Sequence, residues 1–558
     1  MNASPLRWVA DITLAADTSI RGLLEDPLHL AVQAARRLGL VSAPPHSAQG
    51  LLAAYRWYLS DHPEQARHAL GLLGEQTGWR RKLARRLAVQ LGALRADETD
   101  PARLRAQDLS QVGALSAASE IAPAGSRLAA RLASELALLR PEPRPCHATN
   151  GKPDSALFLL TNSLPHTRSG YTIRSHSMLA ALRSSGLKLN AATRLGYPTT
   201  IGRLGTPLTS VVDGIAYHRL PAWRLPVRLD ERIAAHVAAA STLTEKLRPG
   251  VLHCTTDYTN ALVARELSGR FGLPWVYEMR GQLELTWISS RPAELRDEAA
   301  ASERVRLLRA KEAELARDAH AVIVLSQVQR DDLIGRGVPA ERISVLPNAV
   351  DLSFLGQGLE PAQARVQLGL PSDGIWVGSV SSLVGYEGFD VLLEAVARCR
   401  SAGADVRCAL VGDGVSRPGL IRQAEDLGLG EAVIFPGRQP RTDAGLWHQA
   451  LDIFAVPRQD HAVTRVVTPL KPIEAMALGR PVVASNLPAL AELVASPGTG
   501  LLVDPDDPGS LAEAILRLAS DHELRRDLAS RGRAFAAQRT WPANADRCRS
   551  IYREVCGV

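Results

Sequence analysis

Lys471 and Glu474 stand three residues apart in the stretch TPLKPIEAMALGRPVVAS, residues 468 to 485. Pro472 between them marks the first turn of a helix, where a missing N–H costs nothing. Residues 470 to 474 would then present backbone N–H groups at the positive end of that helix, a ready place for an anion. Arg458, Arg465 and Lys471 bring three cations to the same loop. Together these groups could neutralise a diphosphate without a metal. Glu474 is placed to accept hydrogen bonds from sugar hydroxyls. A first-turn acid also favours the helix dipole with no ligand at all, so the residues alone leave both readings open.

These side chains need a strand before their loop and another after their helix. DIFAVP (452–457) and PVVASN (481–486) are apolar runs of the right length for buried parallel strands. The same alternation fills most of the chain. ALFLLTNS (156–163), LKLNAATRLG, GVLHCTT, PWVYEMRG and AVIVLS read as strands, separated by helical stretches and by one long charged helix expected over about 292 to 319. The pattern restarts at IWVGSVSS (375–382) and continues through VRCALVGDG and AVIFPG. Alternating strands and helices make a doubly wound parallel sheet. Two such sheets in tandem give an α/β protein with two facing Rossmann-like domains, whose ligands bind beyond the carboxyl ends of the strands.

His253, Glu278 and Arg280 fall at or near such strand ends. A lone strand histidine is also an ordinary satisfied core residue. Glu278 and Arg280 could meet a ligand or pair with each other. Gly170 closes HTRSGY, and a glycine there either admits a close backbone approach or simply makes a turn. Asp413 in VGDG reads as a turn residue. The boundaries follow from texture: an all-α domain over 1–140, including an expected helix over 28–40, a proline-rich linker over 141–155, α/β domains over 156–350 and 351–538, and a helical tail over 539–558.

The 558 residues suit three domains. A net charge of +7 favours anionic partners. Arginine is dispersed, however, and aromatic residues make up only 4%, which argues against a nucleic-acid binder with stacking platforms. The six cysteines are scattered and form no CxxC pair, so neither a zinc site nor a disulfide framework is expected, and a reducing cytoplasm is the expected setting. No signal peptide and no apolar run of the roughly 18 residues needed to span a membrane is evident. No Asp-X-Asp run is placed to hold a catalytic metal; Asp331 and Asp332 lie on an expected helix.

EAMALGRPVVAS resembles the nucleotide-binding segment of retaining GT-B glycosyltransferases of family 4. Four further stretches resemble that family in the right order. TNSLPHTRSGYTIRSHSMLAAL (161–182) looks like its first glycine loop and following helix, and residues 251–281 like the segment with a histidine at the cleft. Residues 319–351 look like the hinge between the domains, and GSVSSLVGYEGFDVLLEAV (378–396) like the first strand and loop of the donor domain. The resemblance covers roughly residues 155 to 558.

The resemblance implies a GT-B fold and transfer of a sugar from a UDP- or GDP-linked donor, with retention, to a glycan or lipid-linked acceptor. It implies no required cofactor and no metal, and a place in cell-envelope or exopolysaccharide synthesis. By the same resemblance Glu474 holds the nucleotide ribose, and Lys471, Arg458, Arg465, Thr468, Ser382 and Gly170 bind the donor. His253 stands at the cleft and is expected, with Lys471 and Glu474, to be catalytic, while Glu278 and Arg280 remain, on the residues alone, the candidates to bind the acceptor. The chain departs from the family at three points. Val466 replaces the first of two glutamates that have seven residues between them. Ser382 and Glu387 replace the usual Arg and Lys of the donor loop. One histidine stands where the family often has two. A nucleotide-sugar epimerase, a phosphorylase and a non-catalytic nucleotide-sugar-binding partner are the alternatives on the same fold.

GWRRKLARRLAVQLGALR (78–95) places Trp79, Leu83, Leu87, Val89, Leu91 and Leu94 mostly on one side of a helix and crowds Arg80, Arg81, Lys82, Arg85 and Arg86 on the rest. Such a helix either lies on anionic lipid or packs its apolar face within a helical domain. Residues 1–140 are therefore the candidate for peripheral contact with the inner face of the membrane or with a partner protein. The resemblance also implies that the tail helix returns to the first α/β domain.

Overall fold

The computed structural model describes residues 5–25, 50–59, 63–73, 76–142, 144, 150–356 and 358–558. The expected helix over 28–40 and part of the linker lie outside the described residues. Short runs rich in Val, Ile, Leu and Ala make two sheets, whose central strands are buried on both faces. The first holds β1 (Ser155–Leu160), β2 (Lys188–Thr193), β3 (Thr209–Val212), β4 (Ile215–His218), β5 (Val251–Thr255), β6 (Trp275–Met279), β7 (Ala321–Val324) and β8 (Ile343–Val345). Their order is β3-β4-β2-β1-β5-β6-β7-β8. All neighbours are parallel except the hairpin β3–β4. That hairpin turns on Asp213 and Gly214, both left-handed at φ 48° and 75°, the geometry a two-residue turn between twisted strands requires.

The second sheet holds β9 (Ile375–Val380), β10 (Val406–Val411), β11 (Val433–Gly437), β12 (Ile453–Val456), β13 (Val482–Ser485) and β14 (Gly500–Val503), in the order β11-β10-β9-β12-β13-β14 and parallel throughout. This is the two-domain α/β architecture that the alternation of the sequence predicts. Strand order reverses between β1 and β5 in one sheet and between β9 and β12 in the other. Each reversal opens a crevice at the carboxyl ends of the strands. The loops that leave those ends, 161–169, 381–388 and 457–470, hold several of the candidate residues.

The expected single helix over 292–319 is interrupted. One piece, Arg296–Ala300, ends, and Glu303–Asp318 starts afresh with the Ser302 side chain accepting from the Val305 N–H. Among the described residues, seven helices precede β1. Ala106, Leu115, Ala118, Leu132 and Leu139 of the last three share one apolar cluster with Leu157, Leu252 and Tyr277 of the first sheet. A smaller cluster of Tyr55, Trp57, Ala66, Leu87 and Leu91, with Leu83 against it, gathers the helices Leu51–Leu59, Pro63–Gly71 and Gly78–Gln90. The apolar side of the basic helix is thus turned inward. Trp79 remains outside under the Arg80 guanidinium, and Arg85 pairs with Asp97 and Asp100. No helix among the described residues is long and apolar enough to cross a membrane.

The last helix, Trp541–Val555, belongs to the core of the first sheet. Trp541, Ala545, Cys548, Ile551 and Tyr552 pack with Phe158, Leu179 and Val276. The chain crosses between the domains twice, side by side. Val350 bridges Thr540 in parallel, and the Val350 N–H donates to the Arg539 carbonyl at 2.8 Å.

One buried histidine makes a test of this core. His236, in the helix Leu229–Leu247, is pushed down to about 4 by burial. The unfolded chain takes up a proton on this ring near pH 6.5, before the folded chain does. Its neutral, buried state is therefore fully favourable above that pH and loses ground as pH falls toward 4. The stability of wild type relative to His236→Leu should fall by about 3 kcal/mol between pH 7 and pH 4, read from urea unfolding at each pH. Parallel pH profiles for the two proteins would refute it.

Candidate active site

Pro457 ends β12, a polar loop follows, and a seven-residue helix, Lys471–Ala477, leads through Gly479 into β13. Ile473, Ala475, Met476 and Ala477 are buried, which turns Lys471 and Glu474 to the open side. Lys471 Nζ lies 2.7 Å from Glu474 Oε2. His448 Nε2 lies 3.4 Å from the same oxygen, its ring fully buried and stacked on Phe454. Burial keeps His448 below its ordinary range and so neutral, although Glu474 pulls the other way. Burial alone would raise the Glu474 carboxyl; Lys471 and then His448 outweigh it and hold it at about 2. Glu474 is an anion throughout the neutral range.

Across the crevice, Gly170 opens the helix Gly170–Ser184. Ser169 and Thr172 cap that helix reciprocally. Gly170 is exposed, and a Cβ placed on it would sit 3.9 Å from Leu470 Cδ1. Gly281 similarly faces Val467 at 3.9 Å. The glycine loop of the first domain therefore meets the start of the Lys471–Ala477 helix. Of the expected donor-binding residues, Lys471 and Glu474 are paired, and Gly170 lies against Leu470, the residue before their helix.

The remaining cations are placed differently. Gly388, at φ 71°, lets the loop after β9 lie directly on the end of β12: a Cβ there would meet the Pro457 carbonyl oxygen at 1.8 Å. This contact brings Glu387 beside Arg458. The buried Arg458 guanidinium binds Glu387 twice, at 2.7 and 3.2 Å, and donates to the Val467 carbonyl at 2.9 Å. Arg465 grips Asp460 at 2.5 and 2.6 Å. The expected trio of open cations is instead three ion pairs, Arg458–Glu387, Arg465–Asp460 and Lys471–Glu474, because each arginine or lysine has an acid within reach. Thr468 is buried and faces the other way, its carbonyl accepting from Asn348 Nδ2 at 2.9 Å. Ser382 is exposed on the loop after β9. Asp413 accepts from the Gly414 N–H, as a turn residue does.

In the first domain, Glu278 is the centre of a buried network. It accepts from Arg174 at 2.8 and 3.0 Å and from Arg280 at 2.5 Å, and lies 3.3 Å from His253 Nε2. Of the two readings that the sequence left open, Glu278 and Arg280 take the second and pair with each other. His253 is fully buried in mid-strand, stacked on Phe158 and bonded through Nδ1 to the Tyr552 hydroxyl at 2.7 Å. The next position on the same face toward the carboxyl end is Thr255. Arg174 carries the network to the domain crossing, donating to the carbonyls of Leu346 and Pro347 and to Asn348 Oδ1.

Asp460 and His461 border a cavity of about 520 Å³ between the domains, whose opposite wall includes Leu285, Ile288, Arg296 and Arg309. Sequence reasoning does not single out His448 and Asn348, and it takes Glu387 only as a replaced cation of the donor loop, not as the partner of Arg458. Each acts on a partner 26 to 120 residues away, so no local pattern signals it.

Two family models match the chain: the glycosyl transferase 4-like domain over residues 169–349 and the glycosyl transferases group 1 over residues 362–535. Together they cover more than half of it. The D-inositol 3-phosphate glycosyltransferase 1 of Catenulispora acidiphila is 28% identical over 66% of this chain and 87% of its own length. The D-inositol 3-phosphate glycosyltransferase of Corynebacterium urealyticum is 32% identical over 38% of this chain; the match spans about half of that relative, 51%. Among solved structures, sucrose-phosphate synthase from Thermosynechococcus elongatus superposes with a TM-score of 0.59 at 22% identity, over 72% of this chain and 99% of its own. Anabaena HepE in complex with UDP gives 0.54 at 21% identity, over 72% and 100%. With two crevices at strand ends and both halves matched in order, the chain belongs to the GT-B glycosyltransferases of family 4.

Proposed function

We propose that this chain transfers a sugar, with retention, from a nucleoside diphosphate donor held by the second domain to an acceptor hydroxyl held by the first. The observation that carries the reading is the Lys471–Glu474 pair at the start of its short helix, which Gly170 of the first domain approaches at Leu470. Glu474, anionic and partly open, accepts the ribose hydroxyls. The Lys471 ammonium turns in part from Glu474 Oε2 to the diphosphate, whose charge grows as the glycosidic bond breaks. A cation aimed at that growing charge stabilises the transition state more than the ground state. The departing phosphate takes the acceptor proton on the front face of the sugar. Ser382 and the amides at the start of the helix complete the donor side, while Arg458 and Arg465 hold the loop through their own acids.

HepE was solved with UDP and with UDP-glucose, which favours a UDP-sugar as the first donor to try. The curated relatives carry a phosphorylated acceptor in their name. A glycan or lipid-linked acceptor in the cell envelope, met from the cytoplasm, is the setting we infer. His253 acts here as a positioning residue between Glu278 and Tyr552. A panel of UDP- and GDP-sugars tested by thermal shift, then by release of nucleoside diphosphate, should pick out one base and one sugar. Conversion of the donor sugar with no acceptor and no diphosphate release would instead identify an epimerase.

A further inference from the structure

Three loops at the carboxyl ends of β1, β2 and β4 carry a second cluster, which the donor side does not use. Its platform is the fully buried ring of Tyr197. Arg219 Cζ lies 5.4 Å and Arg194 Cζ 6.0 Å from the ring centroid, and the His166 ring stands edge-on at 6.3 Å. The Tyr197 hydroxyl is committed, donating to the Ser163 carbonyl at 2.7 Å and meeting Thr167 Oγ1 at 2.9 Å. Arg219 is anchored through Ser163 Oγ and the Leu164 carbonyl.

Polar atoms are left over. Nε of Arg194, Nε of Arg219, Nε2 of His166 and Oγ1 of Thr200 are buried and have no hydrogen-bond partner. Buried polar atoms are nearly always satisfied by protein, water or a ligand, and here His166 Nε2 stands open beside Arg219, whose Nε also has no partner. The charge points the same way. Arg203 stands exposed on the middle loop, close enough to His166 to act on its charge. Among the described residues, no carboxylate forms an ion pair with Arg194, Arg203 or Arg219. Of the nearby acids, Asp257 gives one oxygen to Thr259 and lies close enough to Arg194 to act on its charge, while Asp11 accepts from Thr199 and the Gly205 N–H beside Arg7. On the donor loop, by contrast, every cation has its own acid. Burial, then Arg219 and Arg203, holds His166 below its ordinary range.

We propose that Arg194, Arg203, Arg219 and His166 form an anion subsite that binds a phosphoryl group on the acceptor. A phosphoryl group brings several acceptor oxygens and up to two negative charges, which suits arginine donors gathered round one ring. The subsite lies on the crevice side of the first sheet and rests on the reading of that domain as the acceptor side. The same phosphoryl chemistry is found on a soluble sugar phosphate and on a lipid-linked glycan.

The full-length protein and two variants, Arg203→Gln and Arg194→Gln/Arg203→Gln, test this. Arg203 is exposed, so its single variant keeps the fold. Inorganic phosphate, glucose 6-phosphate, glucose and geranyl phosphate are titrated by calorimetry, and the His166 ring, identified with His166→Gln, is followed by NMR. Phosphate and at least one of the two phosphate esters should bind. Their affinity should fall at least tenfold in the double variant, glucose should not bind, and the His166 pKa should rise on binding because an anion has arrived beside it. The better of the two esters tells a soluble from a lipid-linked source. Equal phosphate affinity in wild type and double variant, an unmoved His166, or displacement of phosphate by UDP one for one would overturn the subsite. UDP affinity should be the same in all three proteins. Absence of UDP binding even in wild type would count against the donor reading while leaving the subsite standing.

Discussion

Replacing Glu474 with glutamine should weaken the binding of UDP, or of GDP if that is the base, by about 10- to 100-fold, and should cut sugar transfer at least as much. A hydrogen bond to a charged group contributes about 1.5–3 kcal/mol, and each 1.4 kcal/mol is roughly tenfold in affinity. Glutamine keeps the size of the side chain and removes its charge. With a carboxyl held at about 2, the wild-type residue is fully ionised at neutral pH, so the whole charge is lost in the exchange. Lys471 and His448 both address Oε2, which leaves Oε1 to the ligand. The same change frees Lys471. Inorganic pyrophosphate, which has no ribose, should therefore bind the variant at least as tightly as wild type. That divergence between nucleoside diphosphate and pyrophosphate separates a ribose contact from general damage to the loop. Calorimetric titration of both ligands reads it, and equal UDP and GDP affinity in the two proteins would remove Glu474 from the site. The fold should survive, because a partly exposed pair at a helix start contributes little to stability.

The strands were legible because a parallel strand buried on both faces must be a short apolar run, whatever surrounds it. ALFLLTNS, GVLHCTT and DIFAVP needed no partner to be recognised. The hairpin β3–β4 lay in TSVVDGIAYH, where the Asp-Gly pair between alternating residues was a usable signal that the reading passed over. The break at Ser302 was also written locally, as a serine capping a charged helix. The site was harder for a different reason. Motif spacing located Lys471 and Glu474, since both belong to one helical turn. It could not say which acid each arginine would meet. Glu387 looked like the loss of a family cation, yet it lies against Arg458, 71 residues away, and leaves that pair neutral. His448 reached Glu474 only through the packing of two helices. Charge pairing across a sheet is a property of the tertiary structure, and one sequence carries no record of it.

Glu278→Gln should cost about 3–5 kcal/mol of stability, the usual penalty for removing one partner of a buried ion pair and stranding the other. Here two cations are stranded. Arg174 and Arg280 are each 2% exposed, and Glu278 is their shared counter-charge. Burial alone would raise the Glu278 carboxyl, but Arg280 and then Arg174 hold it well below the usual carboxylate range. Urea unfolding gives the loss directly. Removing one stranded cation as well, in Glu278→Gln/Arg280→Gln, should be less costly than the two single losses added together, because the residues share one network. The network also reaches the donor loop. Arg174 binds the backbone at 346 and 347 and Asn348 Oδ1, and Asn348 Nδ2 holds the Thr468 carbonyl. Loosening Arg174 loosens the crossing that sets one domain against the other. The donor KM should rise in Glu278→Gln even well below its unfolding temperature, while Arg203→Gln leaves donor KM alone. A residue that touched the acceptor directly would give the opposite pattern: a raised acceptor KM with stability within about 1 kcal/mol of wild type, since surface changes rarely cost more. That result would move Glu278 from the frame of the cleft to its floor.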